Sequence, residues 1–175
     1  MKNKRLISLI ICWIFVTVPG LCILSFAEAK NTEAEQHFEK ANELRKLAYY
    51  DDATAEYRKV ISLSPNSRIA QDAQYWIGQS YFEVGQFEAA LSAFQKLVDE
   101  YPASTIIPST KLMIERVQQA KNTKSLFEAA EKGNVEQVKR LIANGANVNV
   151  TADAHPVKWT PLIAAASEGH AQVVK

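Results

Sequence analysis

At 175 residues the chain has room for one domain or two small repeat arrays. Apolar residues make up 47% and charged residues 22%, a globular balance that excludes a disordered chain. The formal net charge is only +1 and no strongly basic patch appears, which excludes phosphate-driven nucleic-acid binding.

Lys2, Lys4 and Arg5 precede an apolar run, Leu6 to Val18, that Pro19-Gly20 breaks, and Ala27-Glu28-Ala29 is a small-x-small site. This is the pattern of a secretory signal peptide covering residues 1–29, with cleavage after Ala29 and a periplasmic or secreted product. Two other readings of the segment stay open. Leu6 to Phe26 is 21 residues, long enough to anchor the chain in the inner membrane if uncleaved. Cys22 is a candidate lipoprotein cysteine, although Leu21 stands before it where a small residue is expected. Cleavage removes three bases and one acid, leaving a net charge of −1. It also removes both cysteines, Cys12 and Cys22, so the mature chain has neither a disulfide nor a thiolate metal site and rests on its packed core.

The next stretch keeps one register twice. Ala41, Leu44, Leu47, Tyr50, Ala53, Tyr57, Val60 and Pro65 recur, 37 residues on, as Gly78, Tyr81, Val84, Phe87, Ala90, Phe94, Leu97 and Pro102. Each pair keeps its class, and self-similarity at such a period marks stacked repeats. The spacing predicts a helix from Ala34 to about Ala48 and another to about Leu63, with Asp51 or Asp52 as N-cap and Pro65 as the stop. The second copy predicts a helix over Gln71 to Val84, Gly85 in the left-handed region, then a helix from Phe87 to Glu100. A third copy opens at Pro108 with a helix over Ser109 to about Lys121, apolar at Leu112, Met113, Ile114 and Val117. No partner helix follows it, so it is expected to cover the open end of the array.

The string AQYWIGQSYFEVGQFEAALSAFQKLVDEYP resembles a tetratricopeptide repeat, with Gly78, Tyr81, Gly85, Phe87, Ala90, Phe94 and Pro102 at the signature spacings. AEQHFEKANELRKLAYYDDATAEYRKVISLSP looks like a weaker copy. The 37-residue spacing and the string around Tyr75-Trp76 are similar to the repeats of periplasmic Tol–Pal-associated cell-division coordinators and outer-membrane-assembly lipoproteins. In this family the first helix of each unit lines a concave groove. The resemblance therefore implies partner contacts at Phe38, Asn42, Arg45 and Lys46, with Tyr75, Gln79 and Phe82 from the second copy. Arg45 and Lys46 are placed to clamp a carboxylate. Tyr75 is expected in the groove and Trp76 in the core.

From Lys124 the pattern changes. SLFEAAEKGNVEQVKRLIANGANVN resembles an ankyrin repeat, with Leu126, Ala129 and Ala130 on the inner face of one helix and Gly133 at the turn. Val135, Val138, Leu141 and Ile142 form the apolar stripe of the next helix, and Gly145 supplies a positive φ. The next copy, WTPLIAAASEGHAQVVK, lies 36 residues on, three more than the family period, with the insertion expected within Thr151 to Lys158. Ile163 stands where the family often has histidine, which questions a helix-capping bond. The array is expected to be truncated at Lys175, since stable solenoids need roughly three units. Hairpin tips and first helices make the contacts in ankyrin proteins, which points to Asn147, His155 and Trp159.

No catalytic constellation is legible. No two of the three histidines share a helical face, and there is no nucleophile elbow or phosphate-binding loop. His37 reads as a solvated or packing residue and His170 as structural. The resulting expectation is an all-α chain, an α-solenoid of tetratricopeptide hairpins over residues 30–122 followed by a truncated ankyrin array over 123–175. It is not an enzyme and takes no cofactor or metal. The expected function is an exported interaction scaffold of the cell envelope that binds protein or peptide partners, touching the membrane only through an uncleaved N-terminal segment. The alternative is a targeting module for an enzyme whose catalytic domain lies beyond residue 175.

Overall fold

The computed structural model describes residues 19–151 and 159–174. The apolar run Leu6 to Val18, its preceding cations, the inserted residues 152–158 with His155, and Lys175 lie outside the described residues. The described residues form helices and no strand element: α1 Pro19–Lys46, α2 Tyr50–Leu63, α3 Arg68–Glu83, α4 Phe87–Glu100, α5 Ile107–Glu131, α6 Val135–Ala143, α7 Pro161–Ser167 and α8 Ala171–Val174. The chain divides into two compact units, Met1–Ser80 and Tyr81–Lys175, with the boundary inside α3. The all-α class and the succession of helical hairpins are as expected.

α3 begins three residues early, at Arg68, and two other helices are longer than the pattern implied by a turn or more. α1 was expected from Ala34 but starts at Pro19 and takes in Ala27-Glu28-Ala29. After Gly20 there is no glycine or proline to stop it, and extending an existing helix costs little. For the same reason α5 does not end near Lys121. It runs on through Asn122-Thr123-Lys124-Ser125 and becomes the first ankyrin-type helix, because no breaker intervenes before Gly133. Asp51 and Asp52 are not N-caps. α2 starts at Tyr50, and the two carboxylates occupy its first turn, where they face the positive end of the helix dipole.

Five helix ends share one hydrogen-bond pattern, in which the residue with positive φ bonds back three residues and its successor bonds back five. At α3 these are Gly85 N to Phe82 O and Gln86 N to Tyr81 O, both 2.9 Å. The pattern repeats at Gly133, Gly145 and Gly169. At the end of α1 the left-handed residue is Ala48, with φ +61°. It lies 37 residues before Gly85 and adopts the same turn with a Cβ, which costs about 1 kcal/mol relative to glycine.

In the first unit α1 packs on α2. Ala34, Ala41, Ala53, Tyr57, Val60, Ala70, Ala73 and Ile77 are buried, and the alanines allow the helix backbones to approach closely. In the second unit α5 packs against α4, α6 and α7. Phe94, Leu97, Met113 and Val117 are buried at one stretch. Leu126, Ala129, Ala130, Val138, Leu141, Ala146 and Ala165 form a second cluster, against which Val173 packs. Leu112 and Ile142, read as core positions, are instead 59% and 46% exposed.

Candidate partner-binding surfaces

In the first unit the residues predicted to face a partner are largely engaged with one another. Tyr57 is wholly buried, and its hydroxyl donates to Asn42 Oδ1 at 2.7 Å. Phe38 meets the Tyr57 ring edge-on at 5.6 Å. Burial pushes the Tyr57 hydroxyl pKa up, and the Arg45 guanidinium, hydrogen-bonded to it, partly opposes this. The same guanidinium lies 4.0 Å over the Trp76 ring, and Arg45 Nε is buried without a hydrogen-bond partner among the described residues. Tyr75 and Trp76 stack edge to face at 5.4 Å, and both are half-buried, so Trp76 is not enclosed as expected. Gln79 is half-buried on α3, and Lys46, in the last turn of α1, is exposed. Burial pushes the pKa of Asp72, on the same helix as Gln79, up from its ordinary value, which Arg68 partly offsets.

A second cluster was not legible as a site. Glu56 is 6% exposed and accepts from Lys40 Nζ at 2.8 Å and Lys59 Nζ at 3.0 Å, with His37 Nδ1 on its other oxygen. Burial pushes its pKa up, but the three donors outweigh it and hold the carboxyl down at about 2. His37 is therefore neither solvated nor apolar packing but part of an ionic cluster. The 37-residue register carried a signal. Glu56 stands opposite Ala93, Lys40 opposite Ile77 and His37 opposite Gln74, all buried in the second copy. A charge at an inward position implies partners.

The second unit brings three predicted residues together. Phe82, Asn147 and Trp159 line one groove of about 700 Å³, with α5 from Arg116 to Glu131 along it. Phe82 sits in the last turn of α3 with its ring 6.1 Å from Phe87. The loop after α6 is tied to α5 by polar residues at the join. Asn122 Nδ2 donates to Asn144 O at 3.1 Å, and Asn147 N donates to Thr123 Oγ1 at 3.4 Å. Asn147 Oδ1 accepts from Asn149 N at 3.0 Å, which fixes the loop's turn. Lys121 pairs with Glu88 at 3.1 Å, and Lys124 Nζ lies 5.9 Å over the Phe87 ring. A smaller apolar pocket of about 220 Å³ is lined by Leu126, Val138, Ile142, Val148 and Leu162.

His170 has a structural part. Its Nε2 bonds to Glu131 O at 2.8 Å, and its ring fills the space at Gly133, where an added Cβ would stand 2.5 Å from Nδ1. The start of α7 is capped without a histidine side chain at position 163, since Thr160 Oγ1 accepts from the Ile163 backbone N at 3.3 Å. Among the described residues no group of three or more His, Cys, Asp or Glu side chains is placed to hold a metal ion. Nor is any described helix long and apolar enough to cross a membrane.

The arrangement suits binding by shape and charge. The family model described as tetratricopeptide repeat matches residues 34–67 and again 72–104. The model described as ankyrin repeats (many copies) matches residues 126–175. No curated protein matches the chain. Both repeat types are generic protein–protein interaction modules, and the chain carries tetratricopeptide repeats followed by ankyrin repeats.

Proposed function

We propose that the protein is an exported interaction scaffold of the cell envelope of a Gram-negative-type bacterium, holding protein or peptide partners on its repeat surfaces. The observation that carries the binding role is the convergence of Phe82, Asn147 and Trp159 on one groove. Those residues come from a tetratricopeptide helix and from the ankyrin region, and a groove of this volume lies in the range of ligand sites. A surface built on packed helices is pre-organised, so little ordering entropy is lost on binding. The envelope location is supported by the N-terminal Lys2, Lys4 and Arg5, the apolar run after them, the Ala27-Glu28-Ala29 motif and the confinement of both cysteines to this segment. The likeness of the first repeats to Tol–Pal-associated and outer-membrane-assembly proteins agrees with that setting.

Two measurements test this reading. A photo-crosslinking side chain at the exposed Asn147 should trap discrete protein adducts in cells, and the same group at Glu136, exposed on α6, should not. Equal trapping at both, or none at Asn147, refutes the binding role. Mass spectrometry of the processed chain should find its N-terminus at Lys30. An intact Met1 in a cytosolic fraction refutes export.

A further inference from the structure

The groove of the second unit carries its charges in order along α5. Arg116 and Lys124 come first, and Glu128 and Glu131 come last. Arg116, Glu128 and Glu131 have no ion-pair partner among the described residues, and both glutamates are exposed. The negative end of the α5 dipole adds to the two carboxylates, so that end of the groove favours a cation. Phe82, Phe127 and Trp159 line the same groove and supply the apolar area that anchors a side chain. At a rise of about 1.5 Å per residue, Arg116 and Glu131 are about 22 Å apart along the helix, the length of six or seven residues of extended chain. A wholly apolar ligand leaves both charged ends unmatched, and a ligand of one charge sign is repelled at one of them. A chain with opposite charges at its two ends matches both.

Resting on the scaffold reading above, we propose that this groove binds an extended peptide with an aromatic side chain at its centre, an acidic residue toward Arg116 and Lys124, and a basic residue toward Glu128 and Glu131.

The test uses the full chain and four labelled heptapeptides in fluorescence anisotropy. The first is Asp-Ser-Gly-Trp-Ser-Gly-Lys with blocked ends. The others carry aspartate at both ends, lysine at both ends, or alanine in place of tryptophan. The first should bind about tenfold tighter than either single-sign peptide, as two solvent-facing ion pairs allow. It should bind about thirtyfold tighter than the alanine peptide. In the E128K/E131K variant, with unchanged circular dichroism, the preference should switch about tenfold to the two-aspartate peptide. No binding of the first peptide, equal binding of all four, or an unchanged ranking in E128K/E131K overturns the proposal. Panning a displayed heptamer library on the full chain separates this from the wider reading. An enriched sequence that lacks the acid–aromatic–base order and still binds E128K/E131K overturns the groove proposal and leaves the scaffold standing. If nothing is enriched and Asn147 traps no partner, both fall.

Discussion

The two copies of the tetratricopeptide register solve one packing problem with different chemistry. Where the second copy places Gln74, Ile77 and Ala93, the first places His37, Lys40 and Glu56 and joins them with Lys59 into an ionic cluster. Where the second has Phe94, the first has Tyr57, whose hydroxyl binds Asn42 and Arg45. Where the second has Phe82 lining a groove, the first has Arg45 stacked on Trp76. Polar residues of the first copy that resemble a recognition set are thus mostly occupied in holding α1, α2 and α3 together. A residue's place in a family pattern gives its address, and its partners decide whether it is available.

The comparison of turns gives the largest expected effect. Gly133→Ala combines positive φ with a Cβ 2.5 Å from His170 Nδ1, whereas Gly85→Ala meets nothing within 4 Å. Gly133→Ala should cost about 3 kcal/mol and Gly85→Ala about 1 kcal/mol in urea unfolding. Similar losses at both would show that the His170 ring moves aside freely.

Arg45 and Lys46 are neighbours in sequence with unequal surroundings. Arg45→Glu forfeits the Trp76 stacking and the Tyr57 hydrogen bond and should cost about 2–3 kcal/mol. Lys46→Glu, at an exposed position, should change stability by less than about 0.5 kcal/mol. Equal effects would mean that Arg45 is as free as Lys46.

The ionic cluster makes the first copy acid-sensitive. The Glu56 pKa falls from 4.5 to about 2 on folding, so its stabilisation is complete above pH 4.5 and is lost as pH drops from there toward 2. The shift corresponds to about 3 kcal/mol, reduced to about 2 because the Lys40 and Lys59 side chains are 60% and 52% exposed. Glu56→Gln should lower stability by about that much at pH 7 and by little at pH 2. The triple change His37→Gln, Lys40→Ile and Glu56→Ala, which writes the second copy's residues into the first, should recover most of the loss and flatten the pH profile. A triple variant as unstable as Glu56→Gln would contradict the equivalence of the two copies.

One substitution should be a gain. Ala48→Gly gives the first copy the residue that the second has at Gly85 and should stabilise by about 0.5–1 kcal/mol. A loss instead would mean that the Ala48 side chain makes contacts worth more than its strain.

Much of this architecture was legible beforehand. Pairs such as Ala53/Ala90, Tyr57/Phe94 and Val60/Leu97 named positions that are indeed buried, whereas Leu47/Val84 keep the same matching at the end of a helix and are 66% and 42% exposed. The turns at Gly85, Gly133 and Gly145 were legible because few other residues tolerate positive φ. The fusion of two repeat types in α5 was not. A change of family pattern at Lys124 suggested a break, but a helix ends only where a breaker or a cap stops it. The Glu56 cluster was hidden because two of its members, Lys40 and His37, lie 16 and 19 residues from Glu56 and belong to neither family's signature. Of the recognition set, Phe82, Asn147 and Trp159 were found one by one from two resemblances. Their meeting in one groove needed the path of α5 and the loop bonds through Asn122 and Thr123.

The central claim is that recognition lies along α5, not on the occupied polar face of the first copy. The most direct measurement is an NMR titration of the isotopically labelled full chain with the blocked heptapeptide Asp-Ser-Gly-Trp-Ser-Gly-Lys. The account predicts amide shifts concentrated over residues 116–131 and at Asn147. Shifts confined to Arg45, Lys46 and Gln79, or no shifts at saturating peptide, would contradict it.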